Sequence, residues 1–166
     1  MTPTTHTLRN SSRMRIAVRV LGALVILFVG ADHYWQYAVN DYSVVPTIGT
    51  LFLLNFISAT GVGLLLLAPL ERVSKRFGAI ALKLVAFSGF SIAAASLAAL
   101  LYSEQAPLFG FMESNYRPAI IIALATEFSA AVLLGLLLLL TLKADRSAGT
   151  ARPSVVEHAQ ASASAT

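Results

Sequence analysis

The sequence predicts an all-α fold: a four-transmembrane-helix antiparallel bundle with disordered tails. Of the 166 residues, 57% are hydrophobic and only 12% are charged, and the mean hydropathy is +0.74. A chain of this composition has too little polar surface to enclose a soluble domain. Four apolar stretches each reach the ~20 residues that a helix needs to cross a hydrocarbon core of about 30 Å. The basic residues fall between alternate stretches, as is typical of multi-pass membrane proteins.

The first helix is predicted at residues 15–35. Arg19 lies one turn inside it, where a long side chain reaches back to the headgroups, and Asp32 and His33 lie at its far end. The competing interpretation is a secretory signal peptide, because residues 29–31 (VGA) resemble a cleavage site after an apolar run. Arg19 interrupts that run, and aromatic residues continue it like an interfacial belt. We therefore expect a retained helix.

The other three helices are predicted at residues 45–70, 77–102 and 118–142. The second holds no charged residue, the third holds only Lys83, and the fourth holds only Glu127. Together with the first they form a membrane domain at 14–143. The flanking segments 1–13 and 144–166 are rich in Ser, Thr and Ala without an apolar period, which predicts disordered tails.

Orientation follows from the basic residues. In this arrangement Arg117 is the only Lys or Arg on one side of the bilayer, and the other eleven lie on the opposite side. We expect the bundle to lie in the plasma membrane. The positive-inside rule then places both termini and the second loop in the cytoplasm. The outer face carries acidic and aromatic side chains, and five of them form a candidate rim: Asp32, Trp35, Asp41, Tyr42 and Glu113.

Polar residues inside the apolar stretches predict an intramembrane pocket in the outer half. Glu127 lies about 13 Å below the outer boundary and Asn55 about 12 Å below it, counted by helical rise. A lone carboxylate at that depth must be neutral or partnered, and it marks a candidate site. We expect Glu127 to contact Asn55 or a serine, unless His33 turns inward to pair with it. The candidate pocket comprises Glu127, Asn55, Ser91, Ser88 and His33. The alternative is that Glu127 and Asn55 only hold helices together.

Several chemistries are excluded. The absence of cysteine removes thiol nucleophiles, disulfides and cysteine-bound metal centres. His33 is the only histidine near the membrane, whereas haem held across a bundle normally needs two axial ligands. Gly61 and Gly63 follow no strand, so they form no dinucleotide loop. We expect no catalytic residues, cofactor or metal, and the net charge of +4 reports orientation and not nucleic-acid binding.

Two loop-proximal segments carry a resemblance, residues 41–55 (DYSVVPTIGTLFLLN) and 108–113 (LFGFME), together with His33-Tyr34-Trp35 and Glu127. With these motifs the chain resembles uncharacterised small bacterial four-helix integral membrane proteins over about residues 15–142, and more loosely the DoxX-type architecture. The resemblance implies the fold and no particular activity. Small multidrug transporters also have four helices, but their essential Glu is in helix one, where this chain has none.

Three classes of function remain open. The first is a non-enzymatic accessory or small-ligand-binding membrane subunit that uses the outer-half pocket. The second is a proton-coupled small transporter with Glu127 as carrier, and the third is a membrane enzyme acting on a lipid or quinone. The expected partners are the lipid bilayer and either a larger membrane complex or further copies of the chain. We expect no nucleic acid.

Overall fold

A computed structural model describes residues 5–70, 75–113 and 117–150. These ranges contain four helices, α1 (Thr5–Val39), α2 (Ile48–Leu67), α3 (Lys75–Ser103) and α4 (Pro118–Thr150), and one 3-10 turn at Tyr42–Val44. Each helix includes a segment long and apolar enough to cross a membrane: Ser12–Val39, Ile48–Leu67, Phe77–Ser103 and Pro118–Arg146. The predicted all-α four-helix bundle is thereby confirmed.

The first and last helices of the chain, α1 and α4, are longer than the sequence predicted. α1 begins at Thr5 and α4 continues to Thr150, so residues 5–13 and 144–150, which were assigned to disordered tails, are helical. Extending an existing helix needs no new nucleation. Neither extension contains a proline that would interrupt it. Asp145 also accepts a hydrogen bond from Lys83 on α3, which fixes the end of α4. The remaining tail residues, 1–4 and 151–166, lie outside the described residues.

The second helix is shorter than predicted because prolines limit it at both ends. Thr47, next to Pro46, has a φ of 65°, so regular helix begins only at Ile48. At the other end Ala68 is extended with a ψ of 142°, the conformation that a following proline, here Pro69, favours. The short connection that results brings the start of α2 close to the end of α1.

The helices are arranged as a square in which chain neighbours pack side by side. α1 packs against α2 and α4, and α3 packs against α4 and α2. α2 and α4 therefore lie on one diagonal, and α1 and α3 lie on the other. We call the end with the connections at residues 40–47 and 104–117 the loop end, and the opposite end the basic end, because it carries Arg13, Arg15, Arg19, Lys83, Lys143 and Arg146.

The half of the bundle nearer the basic end is filled by aliphatic side chains. Leu66, Leu134 and Leu137 are at most 1% exposed. Helices approach closely here: a Cβ on Gly63 would lie 2.5 Å from Cγ of Leu27 on α1. Arg19 fastens the same end, because its Nε donates to the carbonyl of Leu66 at 2.6 Å. The half of the bundle nearer the basic end is thus tightly packed and supports the half nearer the loop end.

Candidate functional site

A cavity of about 110 Å³ lies between α2 and α3 in the half nearer the loop end. We call it the interhelical cavity. Its polar lining comes from His33 on α1, Asn55 on α2, and Ser96 and Ser103 on α3. Its apolar lining consists of Ile48, Leu51, Phe52, Ala99, Leu100, Leu108 and Phe111. A mostly apolar space with a few converging polar groups is the usual form of a small-molecule site, but such sites measure about 300–1,000 Å³, so this cavity admits only a small molecule or part of a larger one.

Asn55 lines this cavity and uses only one of the four hydrogen bonds that its side chain can make. Its amide nitrogen donates to Oγ of Ser96, whereas its Oδ1 is buried and accepts no hydrogen bond from the described residues. An amide oxygen in that position costs free energy until a donor reaches it. Asn55 lines the cavity, but this oxygen has almost no accessible surface, so a donor in the cavity reaches it only after a small rotation of the amide.

The serine that contacts Asn55 is Ser96, which was not among the predicted residues. Ser96 makes the contact because it lies at the same depth in the bundle as Asn55. Asn55 lies seven residues after the start of α2 and Ser96 seven residues before the end of α3, so both lie about 10 Å from the loop end by helical rise. Ser91 and Ser88 lie about 18 and 22 Å from that end. Ser88 is exposed and Ser91 half-buried, and neither lines the cavity. Asn55 and Ser96 lie at the same distance from the loop end, and this equal distance was the signal in the sequence that could have identified Ser96.

Glu127 and His33 face each other between α4 and α1. Glu127 is only 2% exposed, and its Oε1 lies 3.6 Å from Nε2 of His33. The other ring nitrogen, Nδ1, lies 2.9 Å from the carbonyl of Val29. A carbonyl can only accept, so Nδ1 carries a hydrogen. Nε2 is then the ring nitrogen that faces the carboxyl group of Glu127.

The carboxyl group of Glu127 retains a further unused atom. Its Oε2 is buried and has no hydrogen-bond partner among the described residues, and the separation of 3.6 Å exceeds a direct hydrogen bond to His33. Asp32, half-buried, interacts electrostatically with both members of the pair. Three ionisable side chains thus gather in one half of the membrane span, which is costly unless they serve a function.

Polar side chains continue from this pair along one face of α1 to the loop end. Asp32 accepts a hydrogen bond from the side chain of Gln36, and Gln36 accepts one from Nδ2 of Asn40 at 2.7 Å. Because these residues are four apart, they lie above one another on the same helix face. Gln36 is buried although it is polar. The face links the buried pair to the surface at Asn40.

A second polar cluster closes the loop end. The phenol of Tyr42 donates to Oε2 of Glu113 at 2.8 Å, and Nη2 of Arg117 donates to the Tyr42 oxygen at 2.7 Å and to both carboxylate oxygens at 3.2 Å. Burial, reinforced by the Glu113 carboxylate, raises the pKa of Tyr42. The hydrogen bond to Tyr42 and the charge of Glu113 raise the pKa of Arg117. The cluster joins the α1–α2 connection to the start of α4.

This polar cluster holds an aromatic roof over the interhelical cavity. The Tyr42 ring stacks on Phe52 with centroids 4.9 Å apart and meets Phe111 edge-on at 5.5 Å. Phe52 in turn lies 5.0 Å from the His33 ring. Phe111 is positioned by a tight turn in which Leu108 and Phe111 exchange backbone hydrogen bonds, with Gly110 at a φ of 81°, a conformation that glycine adopts without strain. Breaking the polar cluster would loosen this roof.

The predicted site residues therefore divide into groups. His33 and Asn55 line one cavity, and Glu127 contacts it through His33 instead of meeting Asn55. Tyr42 and Glu113 meet at the loop end, where Asp41 is exposed on the adjoining groove. Trp35 is 58% exposed and joins neither cluster. Sequence reasoning also missed Gln36 and Arg117, whose spacing of four from Asp32 and Glu113 was the available signal.

The fold and these polar groups define the class of protein: an α-helical, multi-pass membrane protein with ionisable side chains inside its bundle. No particular family follows from comparison, since no family model, no curated protein and no solved structure matches the chain.

Proposed function

We propose that this chain is a non-enzymatic membrane subunit that binds a small amphiphilic molecule in the interhelical cavity. The observation that carries the proposal is that Asn55, which lines this mostly apolar cavity, has a buried amide oxygen without a hydrogen-bond partner among the described residues. A molecule with an apolar body and one hydroxyl or amide donor would fill the space and supply the missing hydrogen bond. The roof of Tyr42 and Phe111 would cover it from the loop end.

The experiment is to purify the full chain from membranes in mild detergent and to identify bound small molecules by mass spectrometry. Ala99 lines the cavity, so Ala99→Phe should fill it and remove the bound species. Ala125 is exposed on α4, so Ala125→Phe adds the same bulk elsewhere and should leave binding unchanged. Equal amounts of the same species in all three samples, or none in any of them, would contradict the proposal.

Proton-coupled transport is the second candidate, and the Glu127–His33 pair favours it. The two groups lie 3.6 Å apart, close enough for one water to pass a proton between them, and buried carboxylates of this kind serve as proton carriers in transporters. In proteoliposomes, movement of the bound species driven by a pH gradient and abolished by Glu127→Gln would identify a transporter. Binding that persists in Glu127→Gln, with no gradient-driven movement in either protein, would identify a binding subunit.

We further propose that the basic end faces the cytoplasm and that the loop end lies outside the cell membrane. Among the described residues, Arg117 is the basic side chain at the loop end, whereas Arg13, Arg15 and Lys143 belong to the opposite end. The chain has no cysteine, so single introduced cysteines report cleanly. In intact cells an impermeant thiol reagent should label Asn40→Cys and not Thr150→Cys. The reverse pattern would invert the orientation.

A further inference from the structure

The interhelical cavity shares one wall with a groove on the outside of the bundle. The groove has a volume of about 320 Å³ and lies between α2 and α3. Neither α1 nor α4 contributes to its lining, so it faces the lipid, and we call it the lipid-facing groove. The side chains that line both spaces are Leu51, Asn55, Ser96 and Ala99.

This shared wall lies at the sparsest helix contact in the described part of the bundle. α2 and α3 make fewer contacts there than any other pair of neighbouring helices. Two of the side chains in the wall, Ser96 and Ala99, are small, and the amide of Asn55 donates to Ser96 across it. Ser58 and Ala95, which line the groove beside this hydrogen bond, are exposed. Small rotations of Asn55 and Ser96 would therefore join the cavity to the groove.

The two spaces follow one another across the membrane in the order of the head and the chain of a lipid. The cavity reaches the loop end at Ile48 and Ser103, the first residue of α2 and the last of α3. The groove begins level with Leu51, about 5 Å below that end by helical rise, and continues to Ser58, about 15 Å below it. A molecule with its head in the cavity would thus direct its chain toward the middle of the bilayer.

The cavity restricts the head to a small uncharged group. Its volume of about 110 Å³ holds only part of a ligand of ordinary size, and the groove supplies the remaining space. Of the described residues that line the cavity, none is Asp, Glu, Lys or Arg, so a charged head would lie unpaired at a high cost. A hydroxyl costs much less to bury and can donate to Oδ1 of Asn55 once the amide rotates.

We propose that the interhelical cavity and the lipid-facing groove form one site for a single-chain amphiphile with a small uncharged head, such as a long-chain alcohol. The head lies beside Asn55 and Ser96, and the chain leaves between α2 and α3 past Ala95. The ligand enters from the lipid, because the aromatic roof covers the cavity at the loop end. This inference rests on the proposed binding function and adds to it the class of ligand and its route of entry.

Photo-crosslinking of the full chain in lipid nanodiscs tests the proposal. The two probes are hexadecanol and a butanol-sized alcohol, each with a diazirine beside its hydroxyl, so both report on the position of the head. Labelled residues are identified by mass spectrometry of peptides. In the wild-type chain both probes should label residues of the cavity. An excess of unlabelled hexadecanol should prevent labelling by the long probe, whereas hexadecanoate, with its charged head, should compete less.

Ala95→Phe distinguishes the two probes, because Ala95 lines the groove and not the cavity. The added ring should block the path of the chain and lower labelling of the cavity by the long probe about tenfold, which corresponds to about 1.4 kcal/mol. The short probe should label the cavity as in the wild type, which also shows that the variant folds. Ala98→Phe is the matched control, because Ala98 is exposed on the same helix but lines a groove between α3 and α4. It should leave both probes unaffected.

The outcomes separate this inference from the proposed function. Equal labelling by the long probe in Ala95→Phe and Ala98→Phe would overturn the route through the groove, while labelling of the cavity by the short probe would leave the proposed binding function standing. Competition by hexadecanoate as strong as that by hexadecanol would overturn the uncharged head. If neither probe labels the wild-type cavity, both the inference and the proposed function fail.

Discussion

The half of the bundle nearer the basic end and the half nearer the loop end hold their helices together by different means. In the former, leucines such as Leu134 fill the space between helices, and Gly63 lets α2 lie directly against α1. In the latter, buried polar side chains face each other between helices, including Glu127 with His33 and Tyr42 with Glu113. The interhelical cavity lies beside these polar pairs.

The difference reflects what the bilayer provides. Lipid tails are as apolar as leucine, so helices associate through close packing or through hydrogen bonds and not through the hydrophobic effect. Close packing leaves little room between the two helices that it joins. Polar pairs hold side chains at fixed distances and leave unused atoms, as at Asn55 and Glu127. In this bundle the closely packed half nearer the basic end supports the structure, and the half with the polar pairs, nearer the loop end, carries the candidate site.

The largest effect should come from breaking the close packing of α1 and α2. In Gly63→Ala the new Cβ would lie 2.5 Å from Cγ of Leu27 and 3.3 Å from the Ala23 carbonyl oxygen. Neither neighbour can move away easily, because one is a branch point and the other is backbone. We expect the free energy of unfolding in detergent to fall by about 1–3 kcal/mol.

Gly61 is the matched control in the same helix. A Cβ there meets nothing within 4 Å, and alanine favours helix over glycine by about 0.5–1 kcal/mol. Gly61→Ala should therefore leave stability unchanged or raise it. Equal changes at both positions would show that α1 and α2 do not rely on close packing, and the contrast between the two halves would fail.

The fold was predictable from sequence because span length and hydrophobicity need no knowledge of which helices touch. The ends of helices were less so: α2 was predicted to continue to residue 70 but ends at Leu67 because Pro69 follows, and α1 extends to Thr5 because adding turns to a formed helix costs little. The aromatic roof was not predictable. It depends on the left-handed conformations of Phe109 and Gly110, which the sequence alone does not specify.

The sequence predicted how deep in the membrane the site residues lie. It did not predict which neighbouring helix each of them faces. Glu127 and Asn55 do lie at similar depth, but α4 and α2 are diagonal in the square, so each pairs with a side chain on an adjacent helix. Helical rise gives depth directly, whereas the neighbour order depends on packing of all four helices. The rim was partly predictable, since Tyr42 and Glu113 meet there, but it needed Arg117 to complete it.

A smaller effect should come from Tyr42→Phe at the loop end, because the change removes hydrogen bonds to Glu113 and Arg117 and leaves the ring in place. Hydrogen bonds to charged groups contribute about 1.5–3 kcal/mol each, but Glu113 and Arg117 stay bound to each other after the change. We therefore expect the free energy of unfolding at neutral pH to fall by about 1 kcal/mol, near the lower end of the range for Gly63→Ala. The roof over the cavity should loosen without loss of the bundle.

The same substitution tests the electrostatics of the cluster. Burial and the Glu113 carboxylate raise the pKa of Tyr42 above its ordinary 10.0, so the folded state favours the protonated phenol. This contribution is fully present below pH 10 and is lost as the pH rises through the raised value. Wild-type stability should therefore fall above pH 10, and Tyr42→Phe should reduce that fall. Tyr102→Phe, at an exposed tyrosine on α3, should retain the wild-type slope. Parallel curves for the wild type and Tyr42→Phe, measured by thermal unfolding in detergent from pH 8 to 11, would mean that the phenol does not hold the roof. In that case the contacts of the Tyr42 ring with Phe52 and Phe111 must hold the roof without the phenol.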